Sequence, residues 1–221
     1  MSSFPETFVD DLATLKFAHV FNPYSDCCPD HDRPDAAAVR RRNLVSILAA
    51  AEMIGTDSIW FGRDLGYRGG RRTGLALTDE LHLADLGKAF GNARIERATR
   101  TEPVAERTAR EIWKMIKRVP VAPFLWNAFP FHPYEPGDPM TNRCHTVREA
   151  RVVDDLLAAL LAWLRPARIV ALGNDAHRAL ARMGHEAISI RHPSYGGQAA
   201  FIEGISDAYG LSHATELMLP L

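Results

Sequence analysis

The chain has little of several features that would place it in a specialised class of protein. No apolar run approaches the roughly 20 residues of a membrane-spanning helix. The first residues carry no basic segment followed by an apolar core, which is the pattern of a secretory signal. Three cysteines are too few for a disulfide framework. We therefore expect a cytoplasmic protein without membrane contacts, folded as one domain over residues 1–221.

Charge of neither sign dominates, because 26 lysines and arginines oppose 27 aspartates and glutamates for a net charge of −1. No global field then attracts nucleic acid, which counts mildly against a DNA partner, although local clusters matter more than the total. The cluster at residues 40–42 is either a solvated surface or a nucleic-acid contact. For a second cluster, in a glycine-rich loop, phosphate contact is favoured; its members are Arg63, Arg68, Arg71 and Arg72.

Common cofactor motifs are also missing. The chain has neither the GxGxxG fingerprint of dinucleotide-binding proteins nor a GxxxxGK phosphate loop. A zinc site could in principle be assembled from Cys27, Cys28, Cys144, His31 and His145, but adjacent cysteines are poorly spaced to supply two tetrahedral ligands. We expect neither a metal nor a cofactor.

The pattern of apolar residues predicts strands that alternate with amphipathic helices. Such alternation is typical of an α/β fold, here a three-layer α/β/α arrangement around a central, mostly parallel four-stranded sheet. The central strands are predicted at residues 58–61, 124–128, 169–172 and 187–190, with a further strand at 18–21. Helices are predicted at residues 35–53, 78–90, 102–117, 146–163, 175–183 and 197–209.

Three chemically active side chains follow three of these strands. Asp64 lies just after the strand at 58–61, Asn127 at the end of the strand at 124–128, and His192 after the strand at 187–190. Open α/β sheets bind ligands at the carboxyl ends of their strands. A carboxylate, an amide and an imidazole are the groups needed to read a pyrimidine and to break its glycosidic bond.

At these residues the chain resembles the uracil-DNA glycosylase superfamily. Common members carry the motif GQDPYHGxxxxxGLAFS, which residues 62–78 follow with the same nine-residue gap between Asp64 and Gly74. The base-reading asparagine of the superfamily matches Asn127, and its HPS segment matches residues 192–194. Residues 141–143 and 169–173 look like the iron–sulfur branch of the superfamily. The resemblance covers residues 59–208.

The resemblance implies a role for each strand-end residue in flipping a nucleotide and releasing its base. Asp64 would stabilise the sugar cation and orient the attacking water. Asn127 would donate to O4 of the base and accept from its N3–H, a pattern that cytosine reverses. His192 would donate to O2 and stabilise the departing anion. An aspartate in a turn, an asparagine in a turn and a buried histidine are the structural alternatives.

The resemblance also implies contacts with the base and with DNA. The implied substrate-binding residues are Phe61, Gly62, Arg63, Tyr67 and Leu77. Ser194 and the amides of residues 195–197 would hold a phosphate at the start of a helix, and Tyr195 is either a wedge that fills the gap left by the base or ordinary surface. The implied DNA-binding residues are Arg71, Arg72, Arg191, Ser194, Tyr195 and Gly196. DNA would be the partner, free uracil the product, and the protein a monomer.

Three departures from the common motifs bear on specificity. The four cysteines of the iron–sulfur branch are missing. Gly66 stands where the common enzymes have the tyrosine that excludes the thymine methyl group, so either Tyr67 fills that space or the pocket tolerates other bases. Leu77 replaces the stacking phenylalanine, for which Phe61, Tyr67 or Phe131 could substitute. We therefore expect a broader range of bases, extending to hypoxanthine or xanthine.

Two other functions remain open at this point. The chain could bind uracil-containing or abasic DNA without turnover, as relatives do that trap the sugar through a histidine in an arginine-rich insertion. No such insertion is visible, and the retained Asp64 favours turnover. The chain could also be an unrelated nucleotide-binding α/β protein, which its near-neutral net charge would suit.

Overall fold

A computed structural model describes residues 2–212 of the chain. The ends of the predicted domain, Met1 and residues 213–221, lie outside the described residues. Within them, one large cluster of buried apolar side chains extends from Phe8 in the first helix to Ile205 in the last. In this part of the chain, no helix has both the length and the apolar character needed to cross a bilayer.

The helices and strands alternate along most of the described chain. The strands are β1 (Val20–Phe21), β2 (Ser58–Gly62), β3 (Phe124–Asn127), β4 (His132–Pro133), β5 (Arg168–Leu172) and β6 (Ile188–Ile190). The α-helices are α1 (Phe4–Thr14), α2 (Ala36–Met53), α3 (Gly70–Thr73), α4 (Leu83–Ala89), α5 (Arg107–Ile116), α6 (Val147–Val152), α7 (Asp154–Leu164), α8 (Asn174–Arg182) and α9 (Gln198–Tyr209). A 3₁₀ turn at Glu80–His82 precedes α4.

The central sheet has four parallel strands in the order β3-β2-β5-β6. Helices flank this sheet, so the predicted three-layer α/β/α fold is confirmed. Every residue of β2 and β3 is buried, which explains why both strands appear in the sequence as unbroken apolar runs rather than as alternating patterns. Because all four strands are parallel, their carboxyl ends meet at one edge of the sheet.

Several local features differ from the sequence-based expectations. Helix α1 was not predicted, although Ser3 and Glu6 form a capping box and Pro5 occupies the first turn. The single helix expected at residues 146–163 is two helices, α6 and α7, which meet at Val153. The predicted strand at 18–21 shortens to two residues, which pair antiparallel with β4 outside the central sheet.

The arginine cluster at residues 40–42 includes one buried arginine, which neither interpretation of the sequence predicted. The Arg40 side chain is completely buried on α2 and forms an ion pair with Asp32, whose side chain is only 2% exposed. Arg40 Nε also donates to the Arg72 carbonyl at 2.9 Å. Arg40 therefore joins α2 to the loop after β2, while Arg42 is exposed.

The Arg40→Ala variant should be strongly destabilised, because it leaves the Asp32 carboxylate buried without its cation. Breaking one side of a buried pair typically costs about 3–5 kcal/mol. The matched control is Arg42→Ala, which removes an exposed arginine of the same helix and should change stability by less than about 1 kcal/mol. Urea unfolding of both variants measures the difference, and equal losses would contradict the structural role of Arg40.

Candidate active site

The carboxyl edge of the central sheet brings together the strand ends that carry the candidate residues. Gly62 and Asn127 are register partners at the ends of β2 and β3. His192 follows β6 by two residues, and its Cβ would lie 3.3 Å from a Cβ added to Gly173, just after β5. The charges of Arg63 and Asp64 both act on the His192 imidazole. The structure therefore places Asp64, Asn127 and His192 at the same edge of the sheet.

Backbone hydrogen bonds continue past the strands and fix the loop that carries Asp64. The Ala128 amide donates to the Gly62 carbonyl at 3.0 Å, and the Phe129 amide donates to the Arg63 carbonyl at 2.9 Å. The Leu65 amide donates to the Phe131 carbonyl at 3.0 Å. The segment after β3 thus holds the backbone on both sides of Asp64 in place.

Asn127 ends β3 at this edge of the sheet, and it is only 1% exposed. Its Oδ1 atom is buried, and no hydrogen-bond donor within residues 2–212 reaches it. A buried acceptor without a partner costs roughly 1–3 kcal/mol, which a donor on a bound ligand would recover. Gly62 makes the room for it, because a Cβ at that position would lie 2.3 Å from Asn127 Oδ1.

The Asp64 carboxylate is held through one of its two oxygens. Arg63 Nε donates to Oδ2 at 2.9 Å, and the His145 backbone amide and Nδ1 approach the same oxygen at 3.3 and 3.4 Å. Among the described residues, no donor reaches Oδ1. Arg63 also extends to Asp175 in the first turn of α8, at 3.5 Å. Asp64 therefore presents one oxygen whose hydrogen-bonding capacity is unused.

The hydrogen bonds of His192 determine which of its ring nitrogens carries the proton. The Ser194 backbone amide donates to Nδ1 at 3.3 Å, and the Ser194 hydroxyl lies 2.7 Å from the same nitrogen. Because a backbone amide can only donate, Nδ1 is the acceptor and the proton of the neutral ring resides on Nε2. The Nε2–H group can then donate to a ligand.

The His192 ring stays neutral over a wide range of pH. Burial, together with the nearby charges of Arg63 and Arg191, lowers the pKa of His192 from 6.5 to about 4, although Asp64 opposes the shift. A neutral imidazole donor avoids the cost of placing an additional cation next to these two arginines.

The loop between β6 and α9 presents Tyr195 at its tip. Tyr195 is 97% exposed and has a left-handed backbone with φ of 51°, a conformation that is uncommon for residues other than glycine. Gly197 precedes the first turn of α9 and lies against the His192 carbonyl, which a Cβ would meet at 2.1 Å. Arg191 and Gly196 are exposed, and Ser194 is partly buried. The Gly197 amide donates to the Ser194 carbonyl at 3.0 Å, which corrects its assignment to phosphate binding.

The predicted substrate-binding residues divide into two groups. Phe61 and Phe131 are completely buried in the apolar core, so their positions do not support the predicted contact with a base. Tyr67 is partly exposed and packs against Arg68, whose guanidinium carbon lies 5.5 Å from the ring centre. Leu77 has a left-handed backbone with φ of 54°, and its Cδ2 would lie 3.0 Å from a Cβ at Gly62. Leu77 and Tyr67 therefore remain candidates.

The space beside Gly66 is occupied by a residue that sequence reasoning did not assign. A Cβ at Gly66 would lie 2.7 Å from Glu106 Oε1, and a Cβ at Gly69 would lie 2.1 Å from Glu106 Oε2. Burial and the charge of Asp79 raise the pKa of Glu106 to about 7, against the opposing effect of Arg68. A carboxyl group, rather than the Tyr67 ring, thus lies against the glycines of the Asp64 loop.

Arg71 and Arg72 are both only 5% exposed, which corrects their assignment to DNA contact. Arg72 Nε donates to Glu80 at 2.6 Å. The Arg71 guanidinium stacks 3.8 Å from the Phe21 ring centre. Buried guanidinium groups with protein partners position the loop, and they are not available to a phosphate. The sequence could not reveal this, because Arg71 packs against Phe21 from a distant segment and Glu80, eight residues from Arg72, meets it only in the folded loop.

The five residues of the conceivable zinc site do not form a cluster. Within residues 2–212, no group of three or more histidine, cysteine, aspartate and glutamate side chains is arranged to hold a metal. Cys28 is buried, while Cys27 and Cys144 are exposed. His145, the histidine of that set nearest to the site, contacts Asp64 instead.

Comparison with known proteins supports the fold but supplies no family. No protein-family model matches the chain, and no curated protein matches it. Among solved structures, the fold is similar to the crystal structure of wild-type SMUG2 from Pedobacter heparinus, with a TM-score of 0.62 and 13% sequence identity. The match covers 95% of this chain and 97% of that one. At this identity the likeness establishes the fold alone.

The lowered pKa of His192 makes a prediction about acid stability. The unfolded ring binds a proton below about pH 6.5, whereas the folded ring does so only below about 4. Acidification from pH 7 to pH 5 therefore favours the unfolded chain, by about 1–2 kcal/mol from this residue. Wild type should lose that much more stability than His192→Asn in urea unfolding at the two pH values. An equal loss in both proteins would contradict the assignment of a neutral, partly buried ring.

Proposed function

We propose that this protein is a DNA glycosylase that flips a deaminated base, uracil above all, out of DNA and hydrolyses its N-glycosidic bond. The proposal makes it a monofunctional enzyme of base excision repair that acts as a cytoplasmic monomer, with DNA as its partner and free uracil as a product. Water is the second substrate, and the reaction needs no cofactor. The superfamily to which SMUG2 belongs, that of the uracil-DNA glycosylases, supports this assignment through the shared fold.

The observation that carries the proposal is the unsatisfied Asn127 Oδ1. It lies among backbone held by strand pairing, at the edge where parallel sheets bind ligands. Uracil presents N3–H to such an acceptor and O4 to the amide NH₂ group of the same side chain. Cytosine offers the reverse pattern and would leave both partners unpaired, which a buried site penalises strongly.

Asp64 and His192 supply complementary electrostatics for breaking the bond. The sugar develops positive charge as the bond lengthens, and the departing base develops negative charge. Asp64, held through Oδ2, directs Oδ1 towards water and stabilises the cation. The Nε2–H group of His192 donates to O2 of the base, and donors fixed in advance in this way are typically worth a few kcal/mol each.

The loop before α9 forms the DNA-binding surface of the proposed enzyme. Ser194, Gly196 and the amides that start the helix hold a phosphate next to the flipped nucleotide. Arg191 adds a cation there. The exposed Tyr195 ring enters the duplex and occupies the gap left by the base. Because DNA would be bound mainly through its phosphates, the affinity of this enzyme for DNA should fall steeply with added salt. That salt dependence distinguishes it from a nucleotide-binding protein.

Asp64→Asn should slow the release of uracil from an oligonucleotide at least about tenfold in single-turnover assays, because the site loses a charge that stabilises the transition state. Asp175→Asn is the matched control, since it removes a half-exposed carboxylate that also contacts Arg63. Asn127→Ala and His192→Ala should be similarly slow. Wild-type rates in Asp64→Asn, or a heat-stable DNA adduct of wild type in place of an alkali-labile strand, would contradict the proposal.

The range of bases should extend beyond uracil. Gly66 carries no side chain, and the space beside it is occupied by the polar carboxyl group of Glu106 rather than by a tyrosine ring. Release assays on oligonucleotides that contain uracil, hypoxanthine, xanthine or thymine test this expectation. Release of uracil together with hypoxanthine or xanthine is the expected result, and activity confined to uracil would contradict it.

Tyr195→Ala should slow uracil release from duplex DNA by about tenfold but change release from single-stranded DNA little. A wedge matters only where a stacked, paired base must be replaced, and that replacement costs a few kcal/mol. Single-turnover rates on both substrates measure the ratio. Val147→Ala, which truncates another exposed apolar residue, serves as the control. Equal effects on the two DNA forms would mean that Tyr195 is ordinary surface.

A further inference from the structure

Three donors converge on a single oxygen of Asp64, and two of them come from His145, a residue 81 positions away in the chain. The backbone amide and Nδ1 of His145 approach Oδ2 at 3.3 and 3.4 Å. A carboxylate can only accept, so the ring must donate from Nδ1. The ring also packs against Phe129, with 5.2 Å between ring centroids, which limits its movement.

The segment that carries His145 is anchored on both sides. After His145 in the chain, the Thr146 hydroxyl and the Glu149 carboxylate form a capping box at the start of α6. Arg143 holds the same Glu149 with both terminal guanidinium nitrogens, at 2.9 and 2.6 Å. Before His145 in the chain, Asn142 Oδ1 accepts a hydrogen bond from the Tyr67 backbone amide at 3.0 Å. The segment from Asn142 to Thr146 is therefore a rigid support that contacts the Asp64 loop at two places.

Two hydrogen bonds through His132 connect this segment to Arg71 in the Asp64 loop. Arg71 donates to Nδ1 of His132 at 3.1 Å. His132 Nε2 then donates to the Thr141 carbonyl at 2.8 Å, which fixes the tautomer of this ring. Burial and the Arg71 charge lower the pKa of His132 to about 4, so the ring stays neutral near pH 7. Arg71 thus stabilises the segment that supplies His145.

We propose that His145 is a positioning residue for Asp64, and that the hydrogen bond from its ring holds the carboxylate so that Oδ1 faces the reacting sugar. This inference rests on the proposed function. Without the ring, Arg63 and the His145 backbone amide would still hold Oδ2, at 2.9 and 3.3 Å, and the ring Nδ1 adds a third donor that restricts rotation of the carboxylate further. Small displacements of a positioned group can cost large factors in rate.

Two amide substitutions make a matched test. The side-chain nitrogen of Asn stands close to the position of Nδ1, whereas that of Gln reaches towards Nε2. His145→Asn should therefore keep uracil release within about threefold of wild type. His145→Gln and His145→Phe, the latter retaining the contact with Phe129, should lose about tenfold in the single-turnover rate with the Kd for DNA unchanged. A loss in Kd alone, or equal rates in the Asn and Gln variants, would overturn the inference.

A double-mutant cycle tests whether His145 acts through Asp64. In the Asp64→Asn background, His145→Phe should cost less than about twofold, because the group that it positions has already been changed. Full additivity of the two losses would overturn the inference, and so would a heat-stable DNA adduct that forms with wild type but not with His145→Phe.

Crystal structures of the same variants provide a readout that does not depend on turnover. Asp64 should keep its rotamer in His145→Asn and change it in His145→Phe. If wild type releases no base, the proposed function fails, and the rotamer comparison still decides the positioning role. An unchanged Asp64 rotamer in His145→Phe would overturn that role even in an active enzyme.

Discussion

The parallel pairing of β2 with β3 is the constraint on which the rest of the site depends. It sets Gly62 opposite Asn127 and continues as backbone hydrogen bonds to Ala128 and Phe129. Asp64, two residues beyond Gly62, is therefore carried by backbone that is fixed relative to Asn127. Because β5 and β6 extend the same sheet in the same direction, His192 arrives at this edge as well.

Buried polar groups take up an unusual share of the loop after β2. Arg71 and Arg72 on its inner side meet a carboxylate, a histidine and an aromatic ring rather than water. Desolvating such charges is costly and is offset only by close partners, so these contacts favour one loop conformation over others. The inner side of the loop is thus held by protein contacts, so the position of Asp64 on its outer side does not depend on contacts with solvent.

The sequence predicted the parts of the structure that depend on local patterns. The apolar runs at β2, β3 and β5 and the polar residues that follow them were enough to predict the sheet and the edge at which the candidate residues lie. Helix α1 was missed although its capping signals were present. The burial of Arg71 and Arg72 and the contact of His145 with Asp64 could not be predicted, because each depends on partners from segments that only the tertiary fold brings near. Glu106 was missed for the same reason.

The unsatisfied acceptor of Asn127 has a consequence for the evolution of thermal tolerance. A side chain of similar volume without polar atoms would remove the desolvation penalty at that position, so random selection for heat resistance would readily find it there. Such a protein would gain stability and, under the proposed function, lose the amide that reads the base. Stabilising substitutions compatible with recognition must therefore come from regions distant from this edge, such as the contacts between α1 and α2.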